Sequence, residues 1–492
     1  MPQTSSSFRP DLQGSDGSIS LSEIISALSY ALDLTEGAVQ GHALRSCLLG
    51  MRIAAEAELP SDHASSLYFA LLLKDIGCSS NASRMCEIVG EDDSAVRYRS
   101  WMNPQRSNLG LPGDGVVPEF GIAKAGIATK SVMATRMTRI FHSSRHPGRS
   151  SYKSVERAIS SHSDRGAGIV AKLGMGEFAA QAVRRVDEHW DGSGRPDSMR
   201  GEQIPLLSRI CAIAQHLDVF SAGRGAEGAI DTLQHRSGTW FDPQLVRVAV
   251  SLHRRRALWA NCSATDSHDD TRQAVLDLGQ GRHRLRSSQI DQICEAFADV
   301  VDAKSHFTFR HSLGVADAAL GIAQGLGLTP DRAQLVRRAA LLHDIGKLSV
   351  PNTILDKEGG LSADDWKAVH LHPVVTRDIL ERVGPFREMG VIAGEHHEKL
   401  DGSGYPNRLM APDLSVESRI IAVADVYAAL SEDRPYRAGL EVDQVLSIMK
   451  SLTPYKLDLD CFGALVSLVS QRRNMAFVPP RPTADSQLAY AV

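Results

Sequence analysis

An all-α fold arranged as two tandem helical bundles is what this 492-residue sequence predicts, and three observations carry that expectation. Apolar residues recur at helical spacing through most of the chain: in HSLGVADAALGIAQGL, His311, Val315, Ala318, Ile322 and Leu326 share one face. Strand-like alternation is nearly absent. The two halves also repeat each other, since a shift of 269 places His42 on His311 and Asp75-Ile76-Gly77 on Asp344-Ile345-Gly346. Further along, a shift of 210 places His162 on His372 and Asp191-Gly192-Ser193-Gly194 on Asp401-Gly402-Ser403-Gly404.

The change of offset implies an insertion in the first copy, about 79–150, where Asn-Pro, Gly-Leu-Pro-Gly-Asp-Gly and His-Pro-Gly break any helix. The expected organisation is a first bundle over 19–260, a polar linker over 261–286, a second bundle over 287–475 and a disordered tail over 476–492. Residues 1–18, rich in Ser and Gly, also read as disordered.

With 43% hydrophobic and 23% charged residues, the chain has material for two cores. A net charge of −4 gives no electrostatic footprint for nucleic acid or an anionic membrane, so any anionic ligand must meet a local cluster of cations. The seven cysteines are scattered without a CxxC, which argues against a disulfide framework and a thiolate zinc site. No signal-like apolar region opens the sequence and no stretch approaches the ~18–20 apolar residues of a membrane span. A cytoplasmic protein is expected.

Chemistry concentrates between 311 and 437: His311, His343-Asp344, Lys347, His372, His396-His397, Asp425, Arg434 and Arg437. His343 and Lys347 are one helical turn apart and can face one locus, with Asp344 at its flank. Asp425 shares a helix face with Ile421 and Ala428. Buried imidazoles and carboxylates are costly unless paired or metal-bound, and mixed His/Asp ligation without thiolates favours iron or manganese, with zinc also suited. An aspartate beside a histidine can bridge two ions about 3.5–4 Å apart, the spacing at which paired metals activate a hydroxide for phosphate-ester hydrolysis. The glycine-rich turn ending in Gly404-Tyr405-Pro406 would let backbone approach a ligand, with Tyr405 offering a stacking face and Pro406 stiffening the loop.

The string LLHDIGKLSVPNTIL, then HP, EHHEKLDGSGYP and RIIAVADVYAALSEDRPYR, over about 290–470, closely resembles the HD-GYP branch of the HD phosphohydrolases. The resemblance implies an all-helical fold, a metal-dependent cyclic di-GMP phosphodiesterase and products pGpG or GMP. It implies one metal held by His311, His343, Asp344 and Asp425 and a second by Asp344, His372, His396 and His397. Lys347 would stabilise charge on the scissile phosphate, Gly404, Tyr405 and Pro406 would border the nucleotide, and Arg434 and Arg437 would bind its phosphates. Members with a third metal typically carry a glutamate where this chain has Phe307, so two divalent transition-metal ions are expected. Ala428 stands where the branch commonly has an aspartate. Rival readings are hydrolysis of another cyclic dinucleotide and a non-enzymatic cyclic di-GMP receptor or scaffold.

The first half keeps His42, Asp75 and His162 but has Lys74, Cys78, Val186, Asp187 and Gln215 where the second has His343, Lys347, His396, His397 and Asp425. Gly194-Arg195-Pro196 replaces Gly-Tyr-Pro, and His189 reads as structural. A non-catalytic copy that packs, senses a ligand, engages signalling proteins or forms a homodimer is expected.

Overall fold

The computed structural model describes residues 20–36, 39–78, 162–262, 266–279, 285–305, 310–357, 359–432 and 438–476. Among these the fold is all-α, with no strand, as the helical periodicity predicts. Isolated bridges join Ser237 to Phe241 and Asp401 to Met410. Residues 1–18, the expected insertion at 79–150, Phe307, Arg434, Arg437 and the tail beyond Ala476 lie outside the described residues. No helix among the described residues is long and apolar enough to cross a membrane.

The chain divides into two compact units, Met1–Ala296 with Ile379–Arg387 and Phe297–Asp378 with Glu388–Val492. The first unit contains α1 (Leu21–Glu36), α2 (His42–Glu56), α3 (Ser61–Leu73), a helical segment over 162–172, α4 (Glu177–Arg184), α5 (Leu206–His235), α6 (Pro243–Arg254) and α7 (His268–Leu278). Its α2 packs on α3 and α5, burying Leu44, Leu48 and Ile53 with Leu71, Leu72, Ile210 and Leu217. Helix α7 lies inside the stretch 261–286 that the sequence marks as a linker. Ser267 caps it, its hydroxyl accepting from the Asp269 N–H at 3.2 Å, and Thr271 and Val275 are buried as it packs on α1 and α2. One cap and one well-placed aliphatic make a helix that polar composition conceals.

The described elements of the other bundle begin with α8 (Ser287–Asp302), in which one division between the units falls, a second falling between Asp378 and Ile379. They continue with α9 (His311–Gly325), α10 (Pro330–Leu342), α11 (Asn352–Leu355), α12 (Ala363–His370), α13 (His372–Glu381), α14 (Arg387–Gly394), α15 (Val416–Ser431), α16 (Val442–Leu452) and α17 (Leu459–Ala476). Helix α9 is central and packs on α10, α15 and α17. Thr329 with Pro330 starts α10, the Ser362/Asp365 capping box starts α12, and Ser415 starts α15.

The internal repeat is visible in the helix bounds. Shifted by 269, α2 and α3 fall on α9 and α10 at both ends, and shifted by 210, α4 falls on α14. A left-handed residue precedes each leading histidine, Gly41 (φ 84°) before His42 and Arg310 (φ 63°) before His311. A buried aspartate holds each of these turns. Asp33 accepts from the Gly41 and Ala43 N–H groups at 2.8 and 2.9 Å, and Asp302 accepts from the Ser312 N–H and hydroxyl at 3.1 and 2.6 Å.

Candidate metal centre

Three histidines of the second unit sit at helix ends, and the backbone there decides how they point. The last carbonyls of a helix lack intrahelical donors. His343 directly follows α10, His372 follows α12 and His396 follows α14. Their Nδ1 atoms lie 2.7, 2.6 and 2.6 Å from the carbonyls of Ala340, Val369 and Ala393, so each Nδ1–H donates there. Every Nε2 therefore carries a lone pair, and all three converge on Asp344. His311, from the start of α9, joins them with Nδ1 2.8 Å from Glu432 Oε2.

Asp344 lies between two groups of ligands. Its Oδ2 is 3.3 Å from His343 Nε2 and 3.7 Å from His311 Nε2, while its Oδ1 is 3.2 Å from His372 Nε2 and 3.7 Å from His396 Nε2. Asp425 Oδ1 stands 3.4 Å from His311 Nε2, and Asp425 Oδ2 stands 3.7 Å from His397 Nδ1. One set of mutually close ligand atoms comprises His311, His343 and Asp425, and another His372, His396 and His397. The structure thus brings all seven sequence-predicted ligands into one cluster.

The donor set fits cations. His372 and His396 face each other Nε2 to Nε2 at 3.2 Å with both Nδ1 protons already committed, so lone pair opposes lone pair. Burial pushes both imidazoles below their ordinary pKa, which removes protonation as a remedy. His343 Nε2 and Asp344 Oδ1 are buried without a hydrogen-bond partner, at a cost of roughly 1–3 kcal/mol each if left so. A shared cation relieves all of these at once.

Charge within the cluster is uneven. Burial opposes ionisation of Asp344, but His343 and Lys347 hold it well below the usual carboxylate range. Burial likewise opposes a charged His311, yet Asp425 and Glu432 outweigh it and raise His311 to about 9. Exposure marks the open side: the side chains of His343, His372 and His396 are fully buried, whereas Lys347 is 20% and His397 24% exposed. Lys347, its Nζ 2.5 Å from Asp344 Oδ2, is the cation at this mouth.

The Gly-Tyr-Pro loop differs from its expected role in one respect. A Cβ at Gly404 would come within 2.6 Å of Glu398 Cα, Lys399 N and the His397 carbonyl oxygen. Its smallness serves the chain's own backbone rather than a ligand. Glu398 latches the loop, accepting from the Asn407 and Leu409 N–H groups at 2.7 and 3.0 Å, as Glu188 does from Met199 N–H at 2.9 Å in the first unit. Tyr405 is stacked on His370 (centroids 3.9 Å, 21° between planes) and tilted against His397 at 4.7 Å. Trp366, 48% exposed, lies one turn before His370 on α12, with rings 5.3 Å apart. The sequence reading missed Glu432, Glu398, His370 and Trp366; the spacing of Trp366 and His370, four residues apart on one helix, was the available signal.

The equivalent locus of the first unit is filled from within. The buried Lys74 ammonium pairs with Asp75 and lies 2.8 Å from His42 Nε2, while Cys78 Sγ lies 3.5 Å from His162 Nε2. Among the described residues, no group there has metal-ligand spacing.

Comparison with known proteins matches the HD domain family at residues 138–245 and 295–460. The 3′3′-cGAMP-specific phosphodiesterase 3 of Vibrio cholerae is 38% identical over 447 residues, 90% of this chain and 94% of its own length. The chain belongs to the HD-GYP phosphodiesterases of the HD-domain family. A crystal structure of a cyclic GMP-AMP-specific phosphodiesterase of V. cholerae superposes on this HD-GYP protein with a TM-score of 0.61 at 36% identity, covering 92% of this chain and 98% of that one. The cyclic di-GMP phosphodiesterase response regulator RpfG of Xanthomonas campestris pv. campestris is 36% identical over 147 residues, 30% of this chain and 39% of its own. HD domains are metal-dependent phosphohydrolases, and the His/Asp cluster of this HD-GYP phosphodiesterase suits that dependence.

Proposed function

We propose that this phosphodiesterase linearises 3′3′-cyclic GMP-AMP, and that its second unit does so with two divalent transition-metal ions, iron or manganese before zinc. The observation that carries the substrate is the extent of likeness: the relative named for 3′3′-cGAMP matches across both units, degenerate one included, whereas RpfG, named for cyclic di-GMP, matches under a third of the chain. Cyclic di-GMP, the substrate expected from the sequence, is the second reading, favoured by the likeness to relatives named for it.

In the proposed mechanism, His311, His343, Asp344 and Asp425 would hold one ion, and Asp344, His372, His396 and His397 would hold the other. Bound there, the metals would supply Lewis acidity towards the phosphoryl oxygens and lower the pKa of water. Asp344 faces both groups of ligands and fixes their separation. The three helix-end carbonyls keep His343, His372 and His396 in the tautomer whose Nε2 can ligate. Lys347, at the open side, meets the negative charge that grows on the phosphoryl oxygens as water adds to phosphorus and an ester P–O bond breaks. Tyr405, His370 and Trp366 form an aromatic flank beside the centre suited to a purine face. Arg434 and Arg437 would bind the phosphates.

The test is hydrolysis by purified, metal-reconstituted protein of 3′3′-cGAMP and cyclic di-GMP in parallel, with products separated by chromatography. A kcat/KM at least about tenfold higher for 3′3′-cGAMP, a preference near 1.4 kcal/mol, is expected. Equal or reversed preference would return the assignment to cyclic di-GMP.

A further inference from the structure

The two copies of the repeat solve one problem differently. A histidine that ligates through Nε2 needs an acceptor on Nδ1–H to fix its tautomer, ring orientation and basicity. In the first unit His42 Nδ1 meets Asp218 Oδ2 at 2.7 Å, and Arg45 Nε holds Asp218 Oδ1 at 2.5 Å. The repeat aligns Asp218 with Ala428, Arg45 with Gly314 and Ala222 with Glu432. The second unit has therefore lost both the carboxylate and its guanidinium partner at those positions.

The carboxylate reappears one helical turn later. Glu432, the C-cap of α15, lies four residues beyond Ala428 and brings Oε2 to 2.8 Å from His311 Nδ1. A Cβ placed on Gly314 would meet Glu432 Oε1 at 3.6 Å, an ordinary contact distance, so position 314, where the first unit has Arg45, borders the Glu432 carboxylate. Glu432 acts on the ring nitrogen opposite the one that faces Asp344 and Asp425 and so is not itself one of the converging ligands.

We propose that Glu432 is the positioning residue of the metal centre: its carboxylate replaces the one lost at Ala428, holds His311 with the Nε2 lone pair directed at the ions and raises its basicity as a ligand. The proposal rests on the metal-centre reading and is independent of which cyclic dinucleotide is cleaved.

Full-length protein titrated with Mn²⁺ alone, followed by electron paramagnetic resonance and elemental analysis, tests it. Glu432→Ala should weaken one of the bound ions by about tenfold or more, the range of lost outer-shell partners, with an unchanged helical circular dichroism spectrum. Glu432→Gln, which keeps an acceptor oxygen without the charge, should lie between the two, and Ala428→Asp in the Glu432→Ala background should recover part of the loss by restoring the first unit's pattern. Wild-type Mn²⁺ affinity in Glu432→Ala overturns the proposal. So does a loss that neither Glu432→Gln nor Ala428→Asp relieves, since that is lost packing rather than a lost Nδ1 acceptor. A wild-type chain that takes up no Mn²⁺ would overturn the metal-centre reading itself, and the role of Glu432 with it.

Discussion

At the scale of single residues, the centre is organised by what lies behind the ligands. His343, His372 and His396 were legible in the sequence because histidines at those spacings carry chemistry, and their backbone acceptors follow from their places at helix ends. Glu432 was not legible, because a glutamate in SEDRPYR reads as solvated loop until tertiary folding brings it across to α9. The same holds for Glu398, whose part as a latch on two backbone N–H groups depends on the folded loop. Lys347 belongs to a different class, since its ammonium contacts Asp344 from the open side without ligating anything. Lys347→Ala should therefore keep the metal content of the wild type while kcat falls on the order of 10²–10³-fold. Metal analysis beside steady-state kinetics checks this, and loss of metal in that variant would make Lys347 structural.

At the scale of elements, the helix pattern predicted the bundles, while the devices that set the helix starts were hidden. Asp33 and Asp302 each stand nine residues before the leading histidine, and their role depends on a left-handed turn that periodicity does not report. The linker expectation erred for a related reason: α7 buries little beyond Thr271 and Val275, too few apolar side chains to stand out from a polar stretch. Asp33 offers a test away from the metal centre. Burial raises its carboxyl from 3.8 to about 6. The raised folded-state pKa means that its stabilising contribution is complete below about 3.8 and is lost as pH rises through about 6, up to roughly 3 kcal/mol in all. Asp33→Asn cannot ionise and keeps one of the two acceptor oxygens that the Gly41 and Ala43 N–H groups use, a loss that does not vary with pH. Its melting temperature should rise relative to wild type between pH 4 and pH 7, and a gap that stays constant would contradict the buried, protonatable Asp33.

At the scale of the whole molecule, one helix pattern appears twice, and among the described residues the clusters with metal-ligand spacing fall in the second unit. The duplication was readable from the sequence because the shifts preserve His, Asp-Ile-Gly and Asp-Gly-Ser-Gly landmarks, and the helix bounds follow those shifts. What replaced the chemistry in the first unit was only partly readable: Lys74 could be placed at the locus, but its contacts with both His42 and Asp75 required the fold. The Lys74 ammonium places internal positive charge at that position, beside His42 and Asp75. His343→Ala in the full chain should accordingly reduce turnover to background, with no residual activity from the first unit, measured on either cyclic dinucleotide.

The proposed function requires a two-ion centre in the second unit, with Asp344 between its two groups of ligands. Elemental analysis of anaerobically reconstituted protein, wild type beside Asp344→Ala at matched helical content, tests it most directly. About two ions per wild-type chain and fewer than one in Asp344→Ala are expected, since the bridging carboxylate faces both ligand groups. One ion or none in the wild type, or undiminished metal in Asp344→Ala, would rule out a two-ion centre built around Asp344.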